Sequence, residues 1–184
     1  MSLMSQSINL YNQLAKHKLF NKTVNFNLKR IQLALSKLNH PERKLYNVIQ
    51  VIGSDGKFSV LRALRFFIEE NKQTVSTHVS PSITDIRERF WMGDRYLTHQ
   101  EIKKTIKTIE KLKIPLTIYE VLTLVFIINA SNKNTDYVIQ EAGCLWKLDS
   151  NNVIDFPLMQ IIVNINKQHL NFLKKKTLNE VINQ

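Results

Sequence analysis

The stretch that most constrains this sequence is a short apolar, β-branched run that ends on a glycine. Leu45 to Ile52 (LYNVIQVI) has the length and character of a strand buried on both faces, and it runs straight into Gly53-Ser54-Asp55-Gly56-Lys57-Phe58-Ser59. From Ser59 to Glu70 the apolar spacing turns helical through Val60, Leu64 and Phe67. Strand, glycine-bearing loop and helix in that order belong to an α/β domain built on a parallel sheet.

The rest of the chain repeats the alternation. Leu28, Ile31, Leu35 and Leu38 predict an amphipathic helix that ends before Pro41. Thr74 to Val79 reads as a second strand, followed by an irregular stretch through Ser80-Pro81-Ser82. Thr98-His99-Gln100-Glu101 has the spacing of a capping box, with Ile102, Ile106 and Ile109 as the buried stripe behind it. After Pro115 comes an apolar helix. Its run from Val121 to Ala130 is too short for the roughly 20 residues that span a bilayer, so no membrane is expected. Asp136 to Glu141 and Met159 to Ile165 read as further strands, completing a parallel sheet with right-handed crossovers.

Composition narrows the class. With 184 residues, 43% of them hydrophobic and only 4 Gly and 4 Pro, the chain suits one globular domain and neither a disordered nor a fibrous protein. Its single cysteine, Cys144, cannot form an internal disulfide, and no signal stretch opens the chain, which together predict a cytoplasmic protein. Met1-Ser2-Leu3 precedes a second possible start at Met4 and is set aside. A formal charge of +11 could serve nucleic acid, but Lys16-His17-Lys18, Lys103-Lys104 and Lys174-Lys175-Lys176 are scattered and have no interleaved aromatics. The same charge attracts polyanions such as ATP, so nucleic acid is the less favoured partner.

Phosphate binding needs glycines that let backbone N–H groups approach oxygens, a helix N-terminus, a lysine and a hydroxyl for Mg²⁺. Gly53, Gly56, Lys57 and Ser59 supply these in the right place, immediately after a strand and before a helix. The spacing is shorter than that of the usual phosphate loop, and an ordinary strand-to-helix turn remains the alternative on these residues alone.

Five segments, taken in order, resemble the folylpolyglutamate synthase and dihydrofolate synthase family of the Mur ligase superfamily. The loop from Gly53 to Ser59 resembles that family's Gly-Thr-Asn-Gly-Lys-Gly-Ser. Val79-Ser80-Pro81-Ser82-Ile83 with Glu88-Arg89-Phe90 resembles Thr-Ser-Pro-His-Leu and Glu-Arg-Ile, and Leu116 to Thr123 resembles its Leu-Thr-x-Phe-Glu-x-Leu-Thr helix. Gln140-Glu141-Ala142-Gly143 and Leu148 to Asn152 resemble Leu-Glu-Val-Gly and Leu-Asp-Ala-Thr-Asn. Val163-Asn164-Ile165 and His169 sit where the family has Thr-Asn-Ile-Gly-Leu-Asp-His.

The resemblance implies the parallel-sheet, P-loop NTPase-like fold of the Mur ligase central domain, present in part. It covers residues 27–184, with residues 1–26 as an amino-terminal helical segment and no carboxy-terminal glutamate-binding domain. The activity implied is an ATP-dependent amide ligase that phosphorylates a folate-side carboxylate and lets the amine of glutamate attack the acyl phosphate. ATP and Mg²⁺ are the implied cofactors. Lys57 would touch the β- and γ-phosphates as the catalytic cation. The loop residues Gly53, Ser54, Asp55, Gly56, Lys57, Phe58 and Ser59 would cradle the nucleotide. Ser59, Ser80, Glu141 and His169 match the metal-holding positions. Read without the family, Ser80 is a turn residue, Glu141 a strand-end carboxylate and His169 a surface histidine.

Departures from the family fall on the chemical motifs. Phe58 replaces the second loop glycine, and Asp55 stands where Asn or Lys is usual, adding a repulsion toward ATP of roughly 1–4 kcal/mol at about 4 Å. Leu145-Trp146-Lys147 replaces Gly-Gly-Arg, and Asn166-Lys167-Gln168 replaces Gly-Leu-Asp before His169. The chain stops at Gln184, one place before the lysine that the family carbamoylates. The expectation is a truncated ligase-like protein with weakened nucleotide affinity that does not complete the cycle alone. The alternative is a non-catalytic interaction protein or split-enzyme subunit whose partner is the missing carboxy-terminal half.

Overall fold

The first strand, β1, occupies Val48–Ile52 and so begins later than the apolar run from Leu45. Asn47 takes a left-handed φ of 47°, which interrupts the extended backbone just before it. The computed structural model of the protein describes residues 3–18, 20 and 26–183, those at 3–9 by backbone alone. Met1-Ser2 and Gln184 therefore lie outside the described residues.

Side chains of β1 alternate between two cores: Val48 joins one, Ile49 and Val51 the other. On the second side α3 (Lys57–Glu70), which starts at Lys57 rather than Ser59, sets Leu61 against Val75, Val79 and Ile139. β2 (Val75–His78) and β4 (Tyr137–Glu141) pair parallel to one another, and β4 pairs parallel to β1. β5 (Met159–Ile162) completes the parallel set against β1, ending before the expected Ile165.

The sheet is parallel as expected except at one edge, where a strand that the sequence did not announce is added. β3 (Phe90–Met92) joins β2 antiparallel at one edge, giving the order β3-β2-β4-β1-β5. Only the loop and 3₁₀ turn Ile86–Arg89 separate β2 from β3, too short a connection for a parallel crossover.

The other sheet face is covered by α1 (Leu3–Lys16), α2 (Leu28–Lys37), α4 (His99–Glu110) and α5 (Ile118–Lys133). α5 is apolar nearly all round because it lies under the sheet with α2 and α4 against it, and Val121 to Ile127 are all buried. The expected capping box at Thr98 and Glu101 opens α4, and a second one at Thr117 and Glu120 opens α5. Glu120 also accepts from Arg30 Nε and Nη2 at 3.2 and 3.1 Å, tying α2 to the start of α5. Leu10 and Leu14 of α1 belong to the same core, so the amino-terminal segment packs as part of the domain. Among the described residues no helix is long and apolar enough to cross a membrane.

Candidate functional site

The four parallel strands share one direction, so the segments after Ile52, His78, Glu141 and Ile162 gather at a single edge of the sheet. The loop after β1 is shaped by close approach. Gly53 has φ 138°, and a Cβ there would lie 2.6 Å from the carbonyl oxygen of Asn164. Gly56, at φ 78°, stands at the head of α3, which has no side-chain cap and no acidic residue in its first turn. Its first N–H groups are therefore left for an acceptor from outside the helix. Lys57 Nζ folds back to donate to the carbonyls of Gly53 and Ser54, both at 2.9 Å.

Two sequence departures meet beside this loop. Asn166 Nδ2 donates to Asp55 Oδ2 and Gln168 Nε2 donates to Asp55 Oδ1, each at 2.7 Å. Asn164 ties the backbone next to them, accepting Asp55 N–H on its Oδ1 at 2.8 Å and Ser54 N–H on its carbonyl at 3.0 Å. The Asp55 carboxylate is thus clasped toward the segment after β5, with an acid in the family's amide position and an amide in its acid position. Phe58, expected to crowd the phosphates, is 47% exposed and has the Arg62 guanidinium 5.8 Å from its ring centroid. It lines neither of the two cavities at this edge. Leu145 keeps a left-handed φ of 52° where the family has Gly, a conformation that a side chain makes costly.

Glu141 ends β4, buried, and accepts the Ser80 backbone N–H on Oε2 at 3.0 Å. Burial raises its pKa, partly opposed by that hydrogen bond and by the charges of Lys57 and Arg89. His169 sits at a left-handed φ of 57° and lines a cavity of about 230 Å³ together with Gly53, Ser54 and Gln168. Burial and then the Lys57 charge hold its pKa down. Ser59 is exposed in the first turn of α3. The structure thus brings Ser80 and Glu141 into direct contact and places Lys57 near enough to act on both Glu141 and His169. No hydrogen bond joins Ser59 or His169 to the Ser80–Glu141 pair. Among the described residues no three His, Cys, Asp or Glu side chains converge as a metal-binding group.

A larger cavity of about 480 Å³ opens on the other side of the Gly143-Cys144 backbone, and both of those residues line the two cavities. Tyr119, Asp149 and Ser80 are among its walls. Gly143 lets Tyr119 approach, since a Cβ there would lie 2.3 Å from Tyr119 Oη and the ring would have to shift. Asp149 accepts the N–H groups of Gly143, Cys144 and Asn151 at 2.9, 3.0 and 2.9 Å, yet burial raises its pKa to about 6. Behind it, fully buried Asn151 donates to Tyr119 Oη at 2.9 Å and to the Glu141 carbonyl at 3.0 Å, and its Oδ1 lies 3.2 Å from His78 Nδ1. Cys144 fits a packing role, its thiol pushed up to about 12 by burial and by Asp149.

Tyr119, Asp149 and Asn151 lie inside the motif-like segments Leu116 to Thr123 and Leu148 to Asn152, where no local pattern singles them out. Hydrogen bonds through Asn151, which donates to Tyr119 Oη and to Asp149 Oδ1, are what link them.

No family model matches the chain. It is 29% identical over 155 residues to a dihydrofolate synthase/folylpolyglutamate synthase of Bacillus subtilis, covering 79% of this chain and 36% of that protein. A protein of the same name from Buchnera aphidicola is 28% identical over 156 residues, covering 84% of this chain and 37% of that protein. Among solved structures, E. coli FolC in complex with DHPP and ADP superposes with a TM-score of 0.86 at 23% identity, over 98% of this chain and 42% of that one. A folylpolyglutamate synthase from Thermotoga maritima superposes with a TM-score of 0.77 at 24% identity, over 97% and 40%. The fold is shared, and the chain spans well under half the length of these proteins.

Proposed function

We infer that this chain, a homologue of the dihydrofolate synthase/folylpolyglutamate synthases, provides the Mg-ATP site and the acceptor cavity of an ATP-dependent folate–glutamate ligase. The observation that carries this reading is Lys57, held over two loop carbonyls at the uncapped start of α3, with its charge acting on both Glu141 and His169. Similar structures carry ADP, and one carries Mn, AMPPNP and L-glutamate.

The residues suit these groups. Gly53, Ser54, Asp55, Gly56, Lys57, Phe58 and Ser59 would cradle the phosphates by backbone N–H and by the Lys57 ammonium. Glu141 and Ser80, together with Ser59 and His169, would hold Mg²⁺, for which a carboxylate and hydroxyls are suitable hard donors. When bound, Mg²⁺ neutralises charge on the transferring phosphoryl group. Lys57, which now donates to the Gly53 and Ser54 carbonyls, would offer its ammonium to phosphate oxygens. Because Gly143 and Cys144 wall both cavities, a folate-side carboxylate in the larger one lies across a single backbone turn from the loop. The residues present span 36% of the Bacillus subtilis relative, so the reading concerns the nucleotide and acceptor sites. A cytoplasmic setting suits this chemistry and the unpaired Cys144.

Calorimetry with Mg-ATP tests the nucleotide site. Binding is expected for the folded wild-type chain and at least about tenfold weaker binding for Lys57→Ala, the loss of roughly one charge-assisted contact. No heat at millimolar nucleotide from a folded sample would reject the reading.

A second reading, a split-enzyme subunit, is favoured by β5. This edge strand leaves Met159 and Ile162 exposed at 52% and 62%, beside Phe156 at 94%. Under it the chain docks the remaining part of such a ligase along that edge.

A further inference from the structure

Asn151 is fully buried, and each of its hydrogen-bonding groups is taken by a different part of the fold. Its two side-chain N–H groups donate to Tyr119 Oη at 2.9 Å and to the Glu141 carbonyl at 3.0 Å. Its Oδ1 accepts from Gln140 Nε2 at 3.4 Å and lies 3.2 Å from His78 Nδ1. Burial keeps the His78 ring neutral, and since Oδ1 can only accept, the single ring proton sits on Nδ1. On the main chain, Asn151 N–H donates to Asp149 Oδ1 at 2.9 Å and its carbonyl accepts from Gln50 Nε2 at 3.1 Å. One residue thereby joins β1, β2, β4 and the first turn of α5 to the segment around Asp149.

The amide has one orientation. Reversed, its oxygen would face the Glu141 carbonyl and its nitrogen would face the Gln140 donor. Gln140 and Asn151 stand where the resembling family motifs have Leu and Thr, so the network is a departure of this chain. An apolar filling would cost less, because His78 Nε2 and Gln140 Oε1 are buried without a hydrogen-bond partner among the described residues. What a buried polar hub of this kind supplies is rigidity in the groups it holds.

Both side-chain donors of Asn151 lead to the Ser80–Glu141 pair. One holds the Glu141 carbonyl at the end of β4. The other reaches Tyr119 Oη, which shares a hydrogen bond with the Ser80 side chain. We propose that Asn151 is a positioning residue for the metal site, fixing Glu141 through its carbonyl and the Ser80 hydroxyl through Tyr119. The proposal rests on the reading that Glu141 and Ser80 hold Mg²⁺, and it adds what sets their mutual geometry. Because Asn151 supplies one proton to Tyr119 Oη, the tyrosine's own proton is left for Ser80 Oγ. Asn151 itself lines neither cavity, so it acts only through these neighbours. Removing the group behind a metal ligand typically costs about 10–100-fold in metal affinity.

The test is calorimetry of AMPPNP binding with Mg²⁺ and with EDTA, and the quantity read is the ratio of the two affinities. Wild type is expected to bind the Mg²⁺ form more tightly. Asn151→Leu, close in volume, should lower that ratio at least about tenfold. Tyr119→Phe removes only the hydroxyl between Asn151 and Ser80 and should lower it about threefold, half of the effect in free energy. A merely structural role would weaken both forms alike and leave the ratio unchanged. An unchanged ratio in either folded variant, with wild type still preferring Mg²⁺, overturns the role of Asn151 and leaves the metal site standing. A wild-type chain that shows no preference for the Mg²⁺ form overturns the metal-site reading and this inference with it. Tyr119→Phe decides the matter even if Asn151→Leu does not fold.

Discussion

Asp55 shows how a single letter misleads when its partners are remote. By its position in the loop alone it is expected to repel a nucleotide. In the fold its two oxygens are taken by amides 111 and 113 positions along the chain, at Asn166 and Gln168. The family motif carries Asn and Asp at the positions held here by Asp55 and Gln168, so the two departures compensate. Gln168→Asp should set two carboxylates against each other at a cost of about 1–4 kcal/mol, and adding Asp55→Asn should recover most of it. A double-mutant cycle from urea unfolding measures this. A coupling under about 0.5 kcal/mol would show that the clasp does not form in solution.

Elements were legible in proportion to their length and periodicity. α4 and α5 announced themselves by capping boxes and apolar spacing, and both begin where Thr98 and Thr117 place them. β3 was not legible, because three residues show no alternation and its pairing depends on a turn. β5 was read as running to Ile165 but ends at Ile162. Beyond it the backbone is drawn to the loop from Gly53 to Ser59 by Ser54 N–H on the Asn164 carbonyl. The exposure of β5 belongs to this scale as well, since an edge strand with apolar side chains is a template for pairing. Sedimentation velocity of the chain with the portion of the Bacillus subtilis relative that it does not span should reveal a complex. Met159→Lys should weaken that complex while changing the stability of the chain by no more than about 0.5 kcal/mol. An unchanging monomer in every mixture counts against the split-subunit reading.

The whole molecule answers to pH through two fully buried groups that pull in opposite directions. Burial and Arg89 lower the His78 pKa from 6.5 to about 3. As pH falls between those values the unfolded chain takes a proton that the folded chain refuses, and stability is lost, by an order of 4–5 kcal/mol in full. Asp149, raised from 3.8 to about 6, does the reverse: its folded form takes the proton first, so stability is gained as pH falls through 6 and is complete below 3.8. Its smaller shift offsets about 3 kcal/mol, and the histidine wins. Urea midpoints for wild type should therefore fall from pH 6.5 toward pH 3, and His78→Gln should flatten or reverse that slope. Identical slopes would mean that His78 titrates in the folded chain as it does in the unfolded one. The sequence by itself determined the α/β alternation, the helix caps and the loop from Gly53 to Ser59, because these depend on local spacing and on residue types that act on their own backbone. Only the tertiary structure decided that Ser80 meets Glu141, that Asp55 is clasped and that Arg89 is buried without an ion pair among the described residues. Those facts depend on which distant segments the parallel strands deliver to the same edge, and no local pattern carries that information.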